Sequence, residues 1–397
     1  MATDVAGALA VRAHAAVRAA AQWRDPSSDI RERARRLLAG GIWPAPVVET
    51  ALDNALWDVD EARVIGLLER VPELKLGNDT RAKVRILHVL VILPGNVIGP
   101  AIHSAFCAGL AGACATLKAS RAERHLAGLV AAQFDAFGPP LAGCVRADYW
   151  SGSDLAAEAG ALNEADRVIA FGSDATIAQI RSRSAACDVD VIGYGESYSV
   201  GYVASECDMG QAAHQAARDI CLFDQRGCMS PQTIYVAGDQ GRAVLFARTL
   251  AAALEAESRH LPRAALEPDE APLVMDAVRR LAASAAEPTP HGLDTFIVGP
   301  SRDGVSDHVV AVESFGQPTC IGFGRIAVVK PCPSARDLTT QLKYYGRTIE
   351  SIGLSAGVSE DERIAFRRAG PLRLCALGDM QRPPLGYRPS IEDLCAP

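Results

Sequence analysis

Arg85-Ile-Leu-His-Val-Leu-Val-Ile-Leu-Pro-Gly-Asn96 is a near-continuous apolar run rich in β-formers, halted by Pro94, Gly95 and Asn96. A run without polar alternation is what a parallel strand covered on both faces requires. Working outward, the spacing predicts a helix of small residues over 101–112, a strand over 113–118 and a second helix over about 122–137. Leu126, Leu129, Val130 and Phe134 supply the apolar face of that second helix. After the Gly138-Pro139-Pro140 break the order repeats: strand Arg167–Phe171, a turn at Gly172-Ser173-Asp174 with a helix-capping serine, helix 175–183 and strand 189–195. Strands alternating with helices predict an α/β fold with a parallel sheet, whose ligands gather at the carboxyl ends of the strands. Two of those ends, at Asn96 and Ser173, carry a glycine and a polar side chain.

Upstream, residues 1–80 are rich in Ala, Arg and Leu at helical spacing, and the basic run Ile30–Leu38 reads as a solvated helix face. From about Ser199 a second unit is expected, with helices over 210–222, from 243, over 273–285 and over 338–352. Strands are expected there over 233–236, 295–298, 308–312 and 326–329, with an acidic linker over 267–272. The proline-rich tail is expected to be irregular, lying along the surface or against another subunit. These readings divide the chain into residues 1–198, helices followed by a dinucleotide-binding domain to which 350–397 return, and a catalytic domain over 199–349.

Composition bounds the function. Of 397 residues, 49% are apolar and 22% charged, as in soluble globular proteins. The formal net charge of −7 gives no reason to expect nucleic acid or an anionic membrane as partner. The apolar run Ile86–Leu93 is far short of the ~20 residues a spanning helix needs. The N-terminus lacks an apolar signal core, and 11 cysteines without dense pairing or C-x-x-C spacing point to a reducing, cytoplasmic setting. Among the eight histidines there is no paired metal spacing, and no metal is expected.

One cysteine stands apart. Asp219-Ile-Cys-Leu-Phe-Asp-Gln-Arg-Gly-Cys-Met-Ser-Pro-Gln-Thr-Ile-Tyr-Val236 places Cys228 between Gly227 and Met229, in a turn between a helical and a β-rich run. Most cysteines of intracellular proteins are small buried hydrophobes. Here Asp224, Gln225, Arg226, Ser230 and Gln232 make polar surroundings that suit a cleft more than a core.

Five separated pieces of sequence carry a resemblance. Ile92–Pro100 is similar to the proline-x-asparagine loop of the aldehyde dehydrogenase superfamily, and Leu117–Arg121 to its lysine-containing strand end. Phe171-Gly172-Ser173 resembles its phosphate turn, Asp224–Gln232 its nucleophile segment and Glu313-Ser-Phe-Gly316 its glutamate-x-phenylalanine-glycine element. Within the superfamily the chain resembles the acyl-CoA reductase branch of the luminescence type, over roughly Val84 to Gly353. The resemblance implies a Rossmann-type cofactor domain plus an α/β catalytic domain.

It also implies roles. Cys228 would be the nucleophile that takes the acyl group as a thioester. Asn96 would hold the oxyanion, although an asparagine there also serves simply to end a strand. Gly172 and Ser173 would bind the cofactor pyrophosphate at a helix N-terminus. Lys118 would contact the adenosine ribose and Glu313 the nicotinamide ribose. Where NAD-preferring members tend to have a glutamate just past the lysine, this chain has Arg121, which would pair with a 2′-phosphate. NADPH is therefore expected, with NADH as the other candidate.

The hydrolytic branch has a glutamate that activates water; the corresponding strand here, Val191-Ile-Gly-Tyr-Gly-Glu-Ser197, carries Gly193 at that place, with Glu196 nearby. Without a positioned base the thioester survives for reduction. The expectation is an NADPH-dependent enzyme reducing an acyl thioester, from coenzyme A or an acyl carrier protein, to the aldehyde. The alternatives are an NAD(P)+-dependent aldehyde oxidiser and a non-catalytic acyl-handling subunit. The superfamily also implies a homo-oligomer.

Overall fold

The computed structural model describes residues 5–69, 87–268, 270–285, 296–302 and 304–395. The chain forms two compact units: Met1–Gly41, Val48–Glu196 and Arg382–Pro397 make the first, Ile42–Val47 and Ser197–Gln381 the second.

The first unit is built on a wholly parallel five-stranded sheet. Its strands are β1 (His88–Ile92), β2 (Cys114–Lys118), β3 (Val145–Asp148), β4 (Arg167–Phe171) and β5 (Asp190–Tyr194), in the order β3-β2-β1-β4-β5. The order reverses between β1 and β4. Right-handed crossovers then leave on opposite faces, which opens a crevice at the carboxyl ends of those two strands.

The elements form where the pattern places them, and their ends have local causes. Helix Pro100–Ala111 starts with proline at its first turn and ends at Gly112, whose φ of 71° is left-handed and whose N–H closes on Ala108 O. The second crossover helix begins at Leu126, later than the expected 122, because Glu123 takes the preceding residues into a turn. Its N–H bonds to Ser120 Oγ at 3.0 Å and its carboxylate accepts from the N–H groups of His125 and Leu126. The start of the 85–93 run lies partly outside the described residues, and β1 begins at His88. β3 and helix Leu155–Glu164, which is capped by Asp154, were not apparent in the sequence pattern.

Two expectations for this unit are corrected. The basic run is not wholly solvated: Arg31 is fully buried and donates to Trp23 O, Glu49 and Asp53 at 2.7–2.9 Å. The tail is not a surface strap, since Leu385, Ile391 and Leu394 are buried in the first unit. Arg167 Nη1 donates to the carbonyls of Asp393 and Cys395, both at 2.9 Å, which ties the tail to β4.

The second unit carries a seven-stranded sheet, β14-β13-β6-β7-β12-β11-β8, parallel except for β8 at its edge. The strands are β6 (Tyr198–Val203), β7 (Pro231–Ala237), β8 (Phe296–Val298), β11 (Val309–Val312), β12 (Ile326–Cys332), β13 (Ile349–Leu354) and β14 (Arg373–Ala376). A short hairpin, β9 (Ser301–Arg302) with β10 (Val305–Ser306), stands apart from it. Thr295, the expected start of β8, lies outside the described residues.

The expected helix over 338–352 is two elements. Helix Ala335–Tyr344 stops before Gly346, at a φ of 70°, and β13 follows. The expected linker over 267–272 is shorter, because a helix runs from Glu270 to Ala285 with Pro272 tolerated in its first turn. β14 and all but the first residue of β13 fall within the span 350–397 expected to rejoin the first unit, yet both strands belong to the second sheet, and the chain re-enters the first unit at Arg382.

Candidate active site

In the first unit the expected cofactor residues share the carboxyl edge of one sheet. Ile92 pairs with both Lys118 and Ala170, so β1, β2 and β4 end level with one another. Asn96 follows β1 and is exposed; Lys118 closes β2 and is half-buried; Arg121 is exposed three residues on. Burial pushes the Lys118 ammonium below its ordinary range, opposed by the charge of Glu158, and its Nζ lies 5.9 Å from the centre of the Trp150 ring. Gly95 is needed where it stands, because a Cβ there would lie 2.9 Å from Ser120 Oγ.

Gly172 and Ser173 join β4 to helix Asp174–Ser184. Ser173 is extended, with φ −66° and ψ 157°, and its Oγ accepts the Thr176 N–H at 3.2 Å. Both residues are exposed, leaving the first-turn amides beside them open to an anion. The Asp174 carboxylate is engaged elsewhere, accepting the Glu196 N–H at 2.9 Å. This turn therefore fits a pyrophosphate. At Gly193 a Cβ would lie 2.5 Å from Ile177 Cγ2 and 3.2 Å from Arg181 Nη2, so a longer side chain there requires the Ile177 side chain to move.

In the second unit Cys228 lies on the loop that enters β7, and it alone among the 11 cysteines is exposed. Burial pushes the thiols of Cys107, Cys221, Cys332 and Cys375 up to about 12, which keeps them protonated and inert.

The loop's backbone is unusual. Phe223, Asp224 and Gln225 have φ of 65°, 51° and 62°, three consecutive non-glycine residues in the left-handed region. Each costs about 1–3 kcal/mol and persists only where its surroundings enforce it. Asp224 is enforced by Arg325, whose Nε meets Oδ1 at 2.6 Å, and by the N–H groups of Ala264 and Gly324, each at 3.0 Å. Arg325 is itself buried and donates to Ser258 Oγ and to the carbonyls of Cys221 and Leu261. Gln225 donates to Pro231 O at 2.9 Å and Ile326 O at 3.2 Å. Phe223 meets the Trp43 ring edge-on at 5.2 Å, and Arg226 spans from that ring to Glu270.

The polar residues around Cys228 thus have a different part from the one expected. Asp224, Gln225, Ser230 and Gln232 do not line a cleft; they are buried and hold the turn. Buried polar groups persist only when hydrogen-bonded, and here the bonds shape the loop.

Glu313 follows β11 and is half-buried. Its Oε2 accepts from Thr319 Oγ1 at 2.7 Å and pairs with Lys330 Nζ at 3.0 Å. Lys330 also donates to Gln317 O at 2.7 Å. The segment after Glu313 is fastened to β7: Tyr235 donates to Gly316 O, Thr233 exchanges two bonds with Thr319, and Gln232 Oε1 accepts from the Gly322 N–H. Gln232 Nε2 reaches back to Gln225 O at 3.3 Å, so one side chain of β7 touches both the Cys228 turn and the Glu313 loop.

Sequence reasoning missed Arg325, Lys330, Gln232 as a brace, and Ser199. Only Lys330 left a trace: a lysine inside the apolar run Ile326–Cys332 signals a buried charge in need of a partner. Among the described residues no group of three or more His, Cys, Asp or Glu could hold a metal, and no helix is long and apolar enough to cross a membrane.

Residues 81–388 match the family described as Acyl-CoA reductase (LuxC). Over 101 residues the chain is 37% identical to "Long-chain acyl-protein thioester reductase 2" of Photobacterium leiognathi, covering 25% of this chain and 21% of that protein. A 31% identity over 132 residues relates it to "Long-chain acyl-protein thioester reductase" of Aliivibrio fischeri, covering 33% of this chain and 27% of the relative. In both cases the chain covers well under two thirds of the relative. Among solved structures it is similar to the aldehyde dehydrogenase KauB from Pseudomonas aeruginosa, with a TM-score of 0.67 and 14% identity over 93% of this chain and 76% of that one. A NAD-dependent benzaldehyde dehydrogenase from Corynebacterium glutamicum gives a TM-score of 0.69 and 13% identity over 99% and 84%. At such identities the likeness is one of fold: the aldehyde dehydrogenase architecture, as expected.

Proposed function

Because the chain belongs to the acyl-CoA reductase (LuxC) family, we propose that it reduces an acyl thioester to the aldehyde with NADPH, through a thioester on Cys228. The relatives named as long-chain acyl-protein thioester reductases support a thioester substrate. The observation that carries the reading is Cys228: one exposed thiol, on a turn held in a costly backbone shape by buried side chains.

In this reading the Cys228 thiolate adds to the thioester carbonyl, and Asn96 stabilises the oxyanion. The donor's thiol leaves with a proton and the acyl group stays on Cys228. Exchange of one thioester for another is nearly balanced, so the acyl carbon remains activated. Bound reduced nicotinamide supplies a hydride. The thiohemiacetal oxyanion then collapses, the oxygen regains its double bond, and Cys228 departs as the thiolate that began the cycle. Gly172 and Ser173 would hold the pyrophosphate, Lys118 and Glu313 the riboses, and Arg121 the 2′-phosphate. Gly193 offers no base to activate water, which favours reduction over hydrolysis.

The test follows NADPH absorbance during incubation with a long-chain acyl-CoA, with intact-protein mass recorded in parallel. Consumption of NADPH and an acyl adduct on Cys228 are expected. Cys228→Ala should lose the adduct and about 10³-fold or more of the rate. Activity confined to free aldehyde and oxidised cofactor would overturn the reductive assignment.

A further inference from the structure

Ser199 sits between two irregularities of the second unit's sheet. Along β6 and β7 the pairing passes from Ser199 with Pro231 to Val200 with Thr233, so Gln232 is an extra residue. Along β6 and β13 it passes from Tyr198 with Ile349 to Ser199 with Ser351, so Glu350 is extra. A bulge re-aims the side chains around it, and here one lies on each side of the same residue.

What the two bulges aim is the hydroxyl of Ser199, which is fully buried. Its Oγ lies 2.7 Å from Cys228 O, 2.8 Å from Ser351 Oγ and 3.2 Å from Ser351 N. A carbonyl oxygen has no proton to give, so the single hydroxyl hydrogen of Ser199 goes to Cys228 O. The hydroxyl of Ser351 and its N–H must then both donate to Ser199 Oγ. One donor and two acceptor sites are all a serine hydroxyl has, and all three are used.

We propose that Ser199, oriented by Ser351, is a positioning residue for Cys228, an inference that rests on the nucleophilic role given to that thiol above. The turn does not need this bond to close. Ser230 already fastens it, through its Oγ to Asp219 O at 2.7 Å and its N–H to Gly227 O at 3.1 Å. The Ser199 bond falls instead on the carbonyl of the one exposed cysteine and fixes the rotation beyond its Cα. That steadies the backbone from which the Cys228 side chain projects. Direction governs attack on a large thioester bound in one pose, where small misplacements are costly. It matters little to a small electrophile that approaches from any side.

The experiment measures two rates on Ser199→Ala, Ser199→Thr and Ser351→Ala: acylation of Cys228 by a long-chain acyl-CoA, from intact mass after rapid mixing, and alkylation by iodoacetamide as a function of pH. Ser199→Ala should slow acylation about tenfold, with alkylation within about twofold of wild type and its pH midpoint unmoved. Ser199→Thr keeps the hydroxyl and should restore most of the rate. Ser351→Ala, which leaves the Ser199 bond but removes one of its two orienting donors, should slow acylation about threefold. Ser351→Ala also decides the matter should Ser199→Ala fail to fold. Wild-type acylation in both alanine variants overturns the proposal while leaving Cys228 the nucleophile, as does a fall in acylation matched by an equal fall in alkylation. Absence of any adduct on Cys228 in the wild-type protein overturns the proposed reaction itself.

Discussion

The carboxyl edge of the first sheet and the Cys228 turn of the second unit reach precision by opposite means. At the edge, ordinary elements suffice: three strands end level, and Ser173 caps a regular helix with a backbone any residue adopts. At the turn, Phe223, Asp224 and Gln225 hold a left-handed shape that their sequence does not favour, and Arg325 of a distant loop enforces it. Regular geometry tolerates change because many bonds share the load. An enforced geometry depends on a few buried groups, and it should fail abruptly when one is removed.

That contrast can be broken in graded steps. The largest effect is expected from Arg325→Met, which leaves Asp224 buried without its cation. A loss of about 3–5 kcal/mol in denaturant-unfolding stability is expected, together with slowed acylation of Cys228. A stable, fully reactive Arg325→Met protein would erase the distinction between the two regions.

Next comes a pH effect at Asp219, beside the turn. Burial raises its pKa to about 7, although the N–H groups of Gly378 and Met380 favour the charged form. A carboxyl raised in the folded state binds its proton more tightly there than when unfolded. Its stabilising contribution is therefore complete below the ordinary carboxylate range and is lost as pH rises through about 7. The wild-type protein should lose on the order of 2–4 kcal/mol across that window, and Asp219→Asn should flatten the dependence, as read from urea midpoints at several pH values. The smallest effect is expected at the edge: Ser173→Ala should cost about 1 kcal/mol through the lost cap and leave Cys228 acylation unchanged.

The same contrast decides what the sequence discloses. β4 and the Ser173 cap are legible because an apolar run and a capping residue act through neighbours in the chain. Exposure of Cys228 was inferred from polar neighbours and is seen, yet the inference about those neighbours was mistaken, since polarity marks a buried brace as readily as a cleft. The expected helix over 338–352 took in the start of β13, a fully buried strand paired on both sides. The hold of Ser199 on Cys228 joins residues of two different strands' surroundings, 29 apart in the chain, and no local pattern encodes it; the clamp on Glu313 is nearer in sequence, and only its lysine, inside an apolar run, could have been noticed.

The dependence of Asp224 on Arg325 also sets an order of events during synthesis. Asp224 and Arg325 are 101 residues apart, so the ribosome delivers the thiol long before the guanidinium that shapes its turn. At translation speeds of about 5–20 residues per second, Cys228 spends several seconds outside its working geometry. A nascent chain halted before Arg325 would carry Cys228 on a turn whose left-handed shape has not yet met the guanidinium that holds Asp224.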